Sequence, residues 1–326
     1  DSNRVVSNHI GVDYAGTSAL ANSNYGVHIT AGAQQNDIGG ELAGEGNVIA
    51  GNTRSGVMID SAETMGNRLG GNLIGLGADG ETAVPNGHHG IGIYGGASGN
   101  QVGSSFLQPN TIAASAWSGV AIVDSSTNGV FGNRIGTDLS GTANRGNGYY
   151  GVAVVGGGYN VISSNLIAHN GQDGVRIDGP AALHNTITVN GITANGGKGI
   201  ENVSGGNAEL APPIITGATA STVTGAGCQI EVFSDPADEG ANVHSPPVAV
   251  ADAGGYWTWF GSATGDFVTA TATDGQNNTS EFSAPLSTAA TWSFSGHVHL
   301  AQAPWEPPFP PAAGVVVALF GSDAPD

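Results

Sequence analysis

Three aspartates set the first chemical question. Asp60, Asp124 and Asp178 each closely follow a Gly-(Val/Ile)-x-(Ile/Val) tetrad: Gly56-Val-Met-Ile59, Gly119-Val-Ala-Ile122 and Gly174-Val-Arg-Ile177. Paired carboxylates are the tools of glycoside hydrolysis, and inverting enzymes hold them roughly 6.5–9.5 Å apart. If the tetrads stack as strands about 4.8 Å apart, Asp60 and Asp124 stand about 10 Å apart on alternate layers, slightly too far. The plainer reading is that each aspartate caps a corner by bonding its own backbone. A lyase needs a Lys or Arg base beside an acidic, calcium-binding cluster. Arg68 and Arg176 are the nearest candidates, and neither has acidic neighbours grouped around it in sequence.

Histidines offer a second kind of chemistry. His88-His89 and His297-x-His299 each pair two imidazoles, but neither pair brings a third metal ligand. They read as solvated loop histidines. Asp13 and Asp138 occupy equivalent loop positions where Gly77 stands in the middle copy, so they read as turn residues and not as a repeated calcium site. No Ser-His-Asp spacing, phosphate loop or nucleotide motif occurs. The expectation is therefore no catalytic set, no metal and no cofactor, with Asp60 and Asp124 carrying the enzyme alternative.

What must position these residues is a repeat. Asn3-Arg-Val-Val-Ser-Asn8-His-Ile-Gly11 returns as Asn67-Arg-Leu-Gly-Gly-Asn72-Leu-Ile-Gly75 and again as Asn128-Gly-Val-Phe-Gly-Asn133-Arg-Ile-Gly136, at offsets of 64 and 61 residues. The tetrad recurs at Gly26, Gly56, Gly90, Gly119, Gly151 and Gly174, spaced 30, 34, 29, 32 and 23 residues apart. Short β-branched runs at a fixed period describe a solenoid whose repeats bury their apolar faces against one another. Three strands per coil make a parallel β-helix, right-handed because parallel crossovers are.

The corner asparagines Asn8, Asn36, Asn47, Asn72, Asn100, Asn110, Asn133 and Asn165 precede strands. Asn tolerates a left-handed corner, and its amide can bond the neighbouring coil in a ladder. Every second coil carries a longer insert, Gly11 to Tyr25, Gly75 to His89 and Gly136 to Tyr150, the most ligand-accessible feature of the solenoid.

Composition fits such a rod. Of 326 residues 55 are Gly, 39% are hydrophobic and only 10% are charged, a recipe for tight turns and short strands. The net charge of -19, with seven Lys plus Arg, disfavours nucleic acid and anionic membranes, and weakens the case for gripping acidic polysaccharide. The single cysteine, Cys228, excludes an intrachain disulfide. No run of 18 apolar residues spans a membrane. Asp1 opens inside a repeat without initiator Met or signal peptide, as in a mature or trimmed chain.

After Ala211-Pro-Pro213 the grammar changes. Strands over Thr222–Thr224, Gln229–Ser234, Val248–Ala251, Tyr256–Phe260, Phe267–Thr273 and Ser280–Ser283 read as a small sandwich with one of Trp257 and Trp259 in its core and the other exposed. A third segment opens at Trp292 and passes through a Pro-rich stretch. The expected division is 1–210 parallel β-helix, 211–290 sandwich and 291–326 a partial β domain or strand-donating tail.

The repeats from Asn3 to about Gly205 resemble the right-handed parallel β-helix of pectate-lyase-like proteins, above all large secreted or surface proteins of bacteria. Ile230-Glu-Val-Phe-Ser-Asp235, Ala251-Asp-Ala-Gly-Gly-Tyr-Trp257 and Val268-Thr-Ala-Thr-Ala-Thr-Asp274 are similar to a bacterial Ig-like module. Phe294-Ser-Gly-His-Val298 with Ala313-Gly-Val-Val-Val317 resembles the first strands of a collagen-adhesin B-type, transthyretin-like repeat. The resemblance implies an all-β chain, a β-helix followed by an Ig-like β-sandwich, and is compatible with enzyme, adhesin and scaffold alike.

Repetition without a unique charged cluster suits a non-enzymatic extracellular or cell-surface protein: a rod, an adhesin-like element or a filament subunit. The alternative is a polysaccharide-active enzyme. Expected partners are further copies of the chain or cell-surface components, with carbohydrate as a further candidate; nucleic acid is not expected. Two unfinished ends suggest head-to-tail strand addition through Phe294, Val298, Leu300, Val315, Val317 and Leu319. The rival expectation is that the chain continues beyond both ends in segments that cap it.

Overall fold

The structure is a computed structural model that describes residues 1–103, 108–215, 226–236, 239–244, 249–259, 265–287 and, for the backbone, 294–297. The tetrads and Asn-led runs form three parallel sheets of seven strands each, every strand paired with its equivalent one coil on. One coil runs Asp37–Gly39, Val48–Ile49 and Val57–Asp60; the next runs Arg68–Gly70, Leu73–Ile74 and Ile91–Tyr94. The result is a parallel β-helix of seven coils.

Strands this short hold because alternation sends one or two aliphatic side chains of each inward. Ile38, Leu69, Val102, Val130, Ile162 and Ile187 form one column in register. Ile49, Ile74, Ile112, Ile135, Ile167 and Ile192 form a second. With the tetrad residues they make one continuous buried core, each such side chain contributing roughly 1.5–3 kcal/mol.

Amide ladders line the corners. Along Asn3, Asn36, Asn67, Asn100, Asn128, Asn160 and Asn185, each Nδ2 donates to the Oδ1 of the next coil's asparagine at 2.7 to 3.4 Å. Asn8, Asn47, Asn72, Asn110, Asn133, Asn165 and Asn190 repeat the arrangement before the second sheet. A third ladder, missing from the sequence reading, passes through Asn22, Asn52 and Asn86, gives way to Ser115, and resumes at Asn147, Asn170 and Asn195. These amides sit where backbone groups at a bend would otherwise be buried without partners.

Beyond the solenoid two antiparallel sheets share one core. Gln229–Asp235 pairs with Asn242–Val243, Ala249–Val250 and Phe267–Thr273, which pairs with Leu286–Ser287. Phe294–His297 lies between Ile214–Ile215 and Tyr256–Trp259. Three expectations change here. Both Trp257 and Trp259 are buried, with Cys228, Ile230, Val232 and Val268, while Tyr256 on the same strand is exposed. Ser280–Ser283 is not a strand; it lies against the solenoid. Phe294 belongs to a strand paired within its own chain, along its length to Tyr256–Trp259 and at Gly296 and His297 to Ile214–Ile215, where a free donor strand was expected. Thr222–Thr224, Trp292, Val298, His299, Leu300, Val315, Val317 and Leu319 lie outside the described residues. No helix among the described residues is long and apolar enough to cross a membrane.

Candidate functional site

The outer face of the third sheet gathers the residues with most chemical potential. Its strands run from Val27–Ile29 to Ile200–Val203, and their outward side chains form two columns. One reads His28, Met58, Gly92, Ala121, Ala153, Arg176 and Glu201. The other carries Asp60, Tyr94, Val123, Val155 and Asp178. Charge sits at the two ends, and small or apolar residues fill the middle.

At one end Asp60 accepts from His28 Nε2 at 2.8 Å, from Ser61 Oγ at 3.0 Å and from Thr30 Oγ1. Burial pushes its carboxyl up, but the bonds from Thr30, His28 and Ser61 outweigh this and leave it below the usual carboxylate range. Its partners thus come largely from the preceding coil, and its own backbone is not what it caps. Tyr25 packs 5.0 Å from the His28 ring, and the Arg54 guanidinium lies over Tyr25 at 5.9 Å.

At the other end Arg176 collects two acids from its own stretch of chain and one from the next coil. It reaches Asp173 at 3.4 Å, Asp178 at 3.3 Å and Glu201, and lies 5.2 Å from the Tyr150 ring. Arg68 likewise binds Asp37 through two bonds of 2.8 and 3.1 Å, with Glu41 at 3.9 Å, on the first sheet. With Arg4 and Glu45 these line a cleft of ≈ 340 Å³. Both arginines therefore stand in acidic clusters: stacking brings Asp37 to Arg68 across 31 positions and Glu201 to Arg176 across 25, while Asp173 and Asp178 are sequence neighbours of Arg176 that the sequence reading did not group with it. In both clusters the cations are already neutralised by carboxylates.

Asp124 does not share the column of Asp60. It falls one residue past Val123, is exposed, and turns the chain at φ 49°. Asp178 does share it, four coils away, about 19 Å at 4.8 Å per coil. Neither separation from Asp60 suits a two-carboxylate mechanism.

Between the charged ends lies an aromatic layer. Tyr94 Oη and His89 Nε2 meet at 2.9 Å across Gly92, where an added Cβ would lie 2.8 Å from Met58 Cε and 3.3 Å from the Tyr94 ring. His89 is buried, not a solvated loop histidine: 8% of its surface is exposed, and burial together with nearby His88 lowers its pKa to about 4. His88 stacks on Trp117 at 4.6 Å with planes 9° apart. Trp117 also meets His89 edge-on at 5.3 Å and Tyr149 tilted at 6.4 Å, and both Trp117 and Tyr149 are exposed. Among the described residues no three His, Cys, Asp or Glu side chains gather as a metal site. His297 lies on a strand described for its backbone only.

The long loops are tied in the same way three times. Asp13 Oδ1 accepts from the backbone of Thr17 and Ser18 at 3.0 and 3.2 Å; Asp138 Oδ1 accepts from Thr142 and Ala143, both at 3.0 Å. In the middle copy Asp79, two positions beyond Gly77, caps the equivalent Glu81 and Thr82 at 2.9 and 2.8 Å. Burial pushes the Asp138 carboxyl up, but bonds from Ser140, Ala143 and Thr142 prevail and hold it at about 2. Successive loops join through Ala78 N to Gly16 O and Leu139 N to Gly80 O, both bonds bridging loops from alternate coils.

The family match agrees with this architecture. The chain matches the family described as "Right handed beta helix region" over residues 26–235. A comparison with curated proteins returns no match. Among solved structures it is similar to the Dettilon tailspike protein (gp208), at 20% identity and a TM-score of 0.31, over 57% of this chain and 39% of that one. It is also similar to full-length tailspike protein 2 from Escherichia coli O157:H7 bacteriophage CAB120, at 8% identity and a TM-score of 0.30, over 87% of this chain and 65% of that one. The chain thus spans less than two thirds of either structure's length.

Proposed function

We propose, from the premise that this chain belongs to the right-handed β-helix family, that it is a non-enzymatic structural rod of the cell surface or extracellular space. The observation that carries this reading is the spread of order along the solenoid. Amide ladders run at all three corners, and the outward carboxylates at both ends of the third sheet are committed to hydrogen bonds or ion pairs within the chain. An enzyme interrupts its repeat to build a cleft. Here Ser115 is the one break in the third ladder, and it still accepts its place by donating its backbone N–H to Asn147 Oδ1 at 3.1 Å. In this reading the antiparallel unit is an Ig-like module, and the partners are cell-surface components or further copies of the chain.

The test is twofold. Electron microscopy of the purified protein should show a straight segment about 30 Å long for seven coils stacked 4.8 Å apart. Incubation with pectin, alginate and neutral glucans should release no new reducing ends and no unsaturated products. One observation favours the alternative, a polysaccharide-active enzyme: the Asp60–His28 pair, open to solvent beside Arg54 and Tyr25. Turnover that disappears in both Asp60→Asn and His28→Ala would replace the rod reading with that one.

A further inference from the structure

A parallel solenoid has a chemical problem at its last coil. Thr186–Thr188, Gly191–Thr193 and Ile200–Val203 each have a solenoid neighbour on one side only, so their other edges carry unpaired backbone groups. In this chain every one of those three edges meets the antiparallel unit. On the first sheet Ile187 N donates to Thr279 Oγ1 at 2.9 Å, and Val189 N to Glu231 Oε2 at 3.0 Å. On the second, Ile192 and Gly240 exchange two backbone bonds of 2.9 and 2.8 Å, and Asn195 N donates to Glu239 Oε2 at 3.3 Å. On the third, Asn202 N donates to Glu281 Oε1 at 3.1 Å.

Three glutamates from separate parts of the unit therefore take one backbone N–H at each side of the triangular cross-section. The first ladder ends on the same surface: Asn185 N donates to Asn207 Oδ1 at 3.0 Å, and Asn207 Nδ2 donates to Thr279 O at 3.0 Å, which also accepts from Asn202 Nδ2 of the third sheet's last strand at 2.9 Å. Phe282 closes the apolar centre. It packs against the solenoid core and stands where a Cβ on Gly199 would come within 2.6 Å of its ring. The contact is dry at its middle, with Thr279, Ser280, Ile187 and Ile192 all buried.

We infer that the antiparallel unit is the terminator of this solenoid, occupying the place of an eighth coil, and that the edge it covers is an addition site for a second copy of this chain once the unit is displaced. The surface is specific for strand edges, since most of its bonds go to backbone donors and not to side chains. A merely adjacent module joined by a linker would make exposed side-chain contacts such as Lys198–Glu281 at 2.9 Å and leave the backbone edges to water. The occupant follows from chemistry: what fits an open parallel edge with a triangular apolar centre is another coil of the same cross-section.

The experiment uses the full chain and reads amide hydrogen exchange coil by coil, with light scattering over a concentration series. Glu239→Ala/Phe282→Ala is expected to speed exchange at residues 186–203 by roughly 100-fold or more, while residues 57–135 change less than roughly threefold, because local opening is confined to the uncapped end. The double variant should also form concentration-dependent oligomers where the unaltered protein stays at one size. Glu239→Gln, which keeps an acceptor oxygen, should retain wild-type exchange. If the double variant does not fold, Glu281→Ala and Thr279→Ala report on the third and first edges separately. Unchanged exchange at 186–203, or an equal loss over all coils, overturns the terminator. A single oligomeric size for an uncapped variant overturns the addition site.

Discussion

Asn133→Ala is the sharpest probe of what holds the rod together. Its Nδ2 donates to Asn165 Oδ1 at 3.0 Å and to Val102 O at 2.8 Å, and its Oδ1 accepts from Asn110 Nδ2 at 2.9 Å. All three partners are buried, and none has water to turn to. Three bonds at about 1 kcal/mol each amount to about 3 kcal/mol, and Asn110 Nδ2 keeps its second bond, to Leu69 O at 2.9 Å. Asn133→Ser should cost roughly half of that, since Ser115 holds a ladder position in this chain with an Oγ bond of 3.4 Å to Ala113 O. Equilibrium urea unfolding gives the magnitude. Amide exchange gives the location: the loss should centre on residues 102–112 and 130–167 and fade toward either end, as expected when repeats couple to nearest neighbours. A change below about 1 kcal/mol would refute the reasoning, since the ladder would then be decorative and the aliphatic columns sufficient.

Three further outcomes follow from particular residues. His89 is depressed to about 4 when folded against 6.5 as its ordinary value. The unfolded chain therefore binds the proton first, and stability should fall as pH drops from about 6.5 toward about 4, by at most roughly 3 kcal/mol; midpoint temperatures across that range, compared with His89→Phe, check this. Gly136 sits at φ 92° with an added Cβ 1.9 Å from Ala168 O, whereas Gly44, at φ 87°, has nothing within 4 Å. Gly136→Ala should cost well over the roughly 1–2 kcal/mol of left-handed strain that Gly44→Ala shows alone, as read by denaturant unfolding. Asp79→Ala should make the Gly75–His89 loop a site of proteolytic nicking while the midpoint temperature hardly moves, because the bonds it loses are loop-internal; protection equal to the wild type would show that the loop is held by its neighbours instead.

The repeat was legible because a solenoid writes its cross-section into the spacing of Gly, Asn and β-branched residues. Two of the amide ladders were visible for the same reason, as their asparagines open strands. The third was hidden: Asn22, Asn52 and Asn86 stand at the far side of loops of unequal length, and Ser115 breaks the series. Chemistry between coils was harder to see. Asp60 finds His28 at a separation of 32 residues and Arg176 finds Glu201 at 25, distances at which sequence neighbourhoods say nothing until the register is known. Asp124 missed the column of Asp60 by a single residue, and no pattern in the tetrad distinguishes the two. The end contacts lay furthest from view, because Glu231, Glu239 and Glu281 face partners 42 to 79 residues earlier.

Long loops leave only alternate coils, yet each bonds directly to the next, Ala78 to Gly16 and Leu139 to Gly80. The smallest interchangeable part of this molecule is consequently a doublet of coils. Excising a single coil would set two bulky loops about 4.8 Å apart, or leave two bare corners adjacent, and either breaks the ridge they form. Excising a doublet such as residues 67–127 would join like to like. Within that ridge, duplication can lengthen or shorten the chain only in pairs, whereas past it the last two coils, both without a long loop, show that bare coils stack singly.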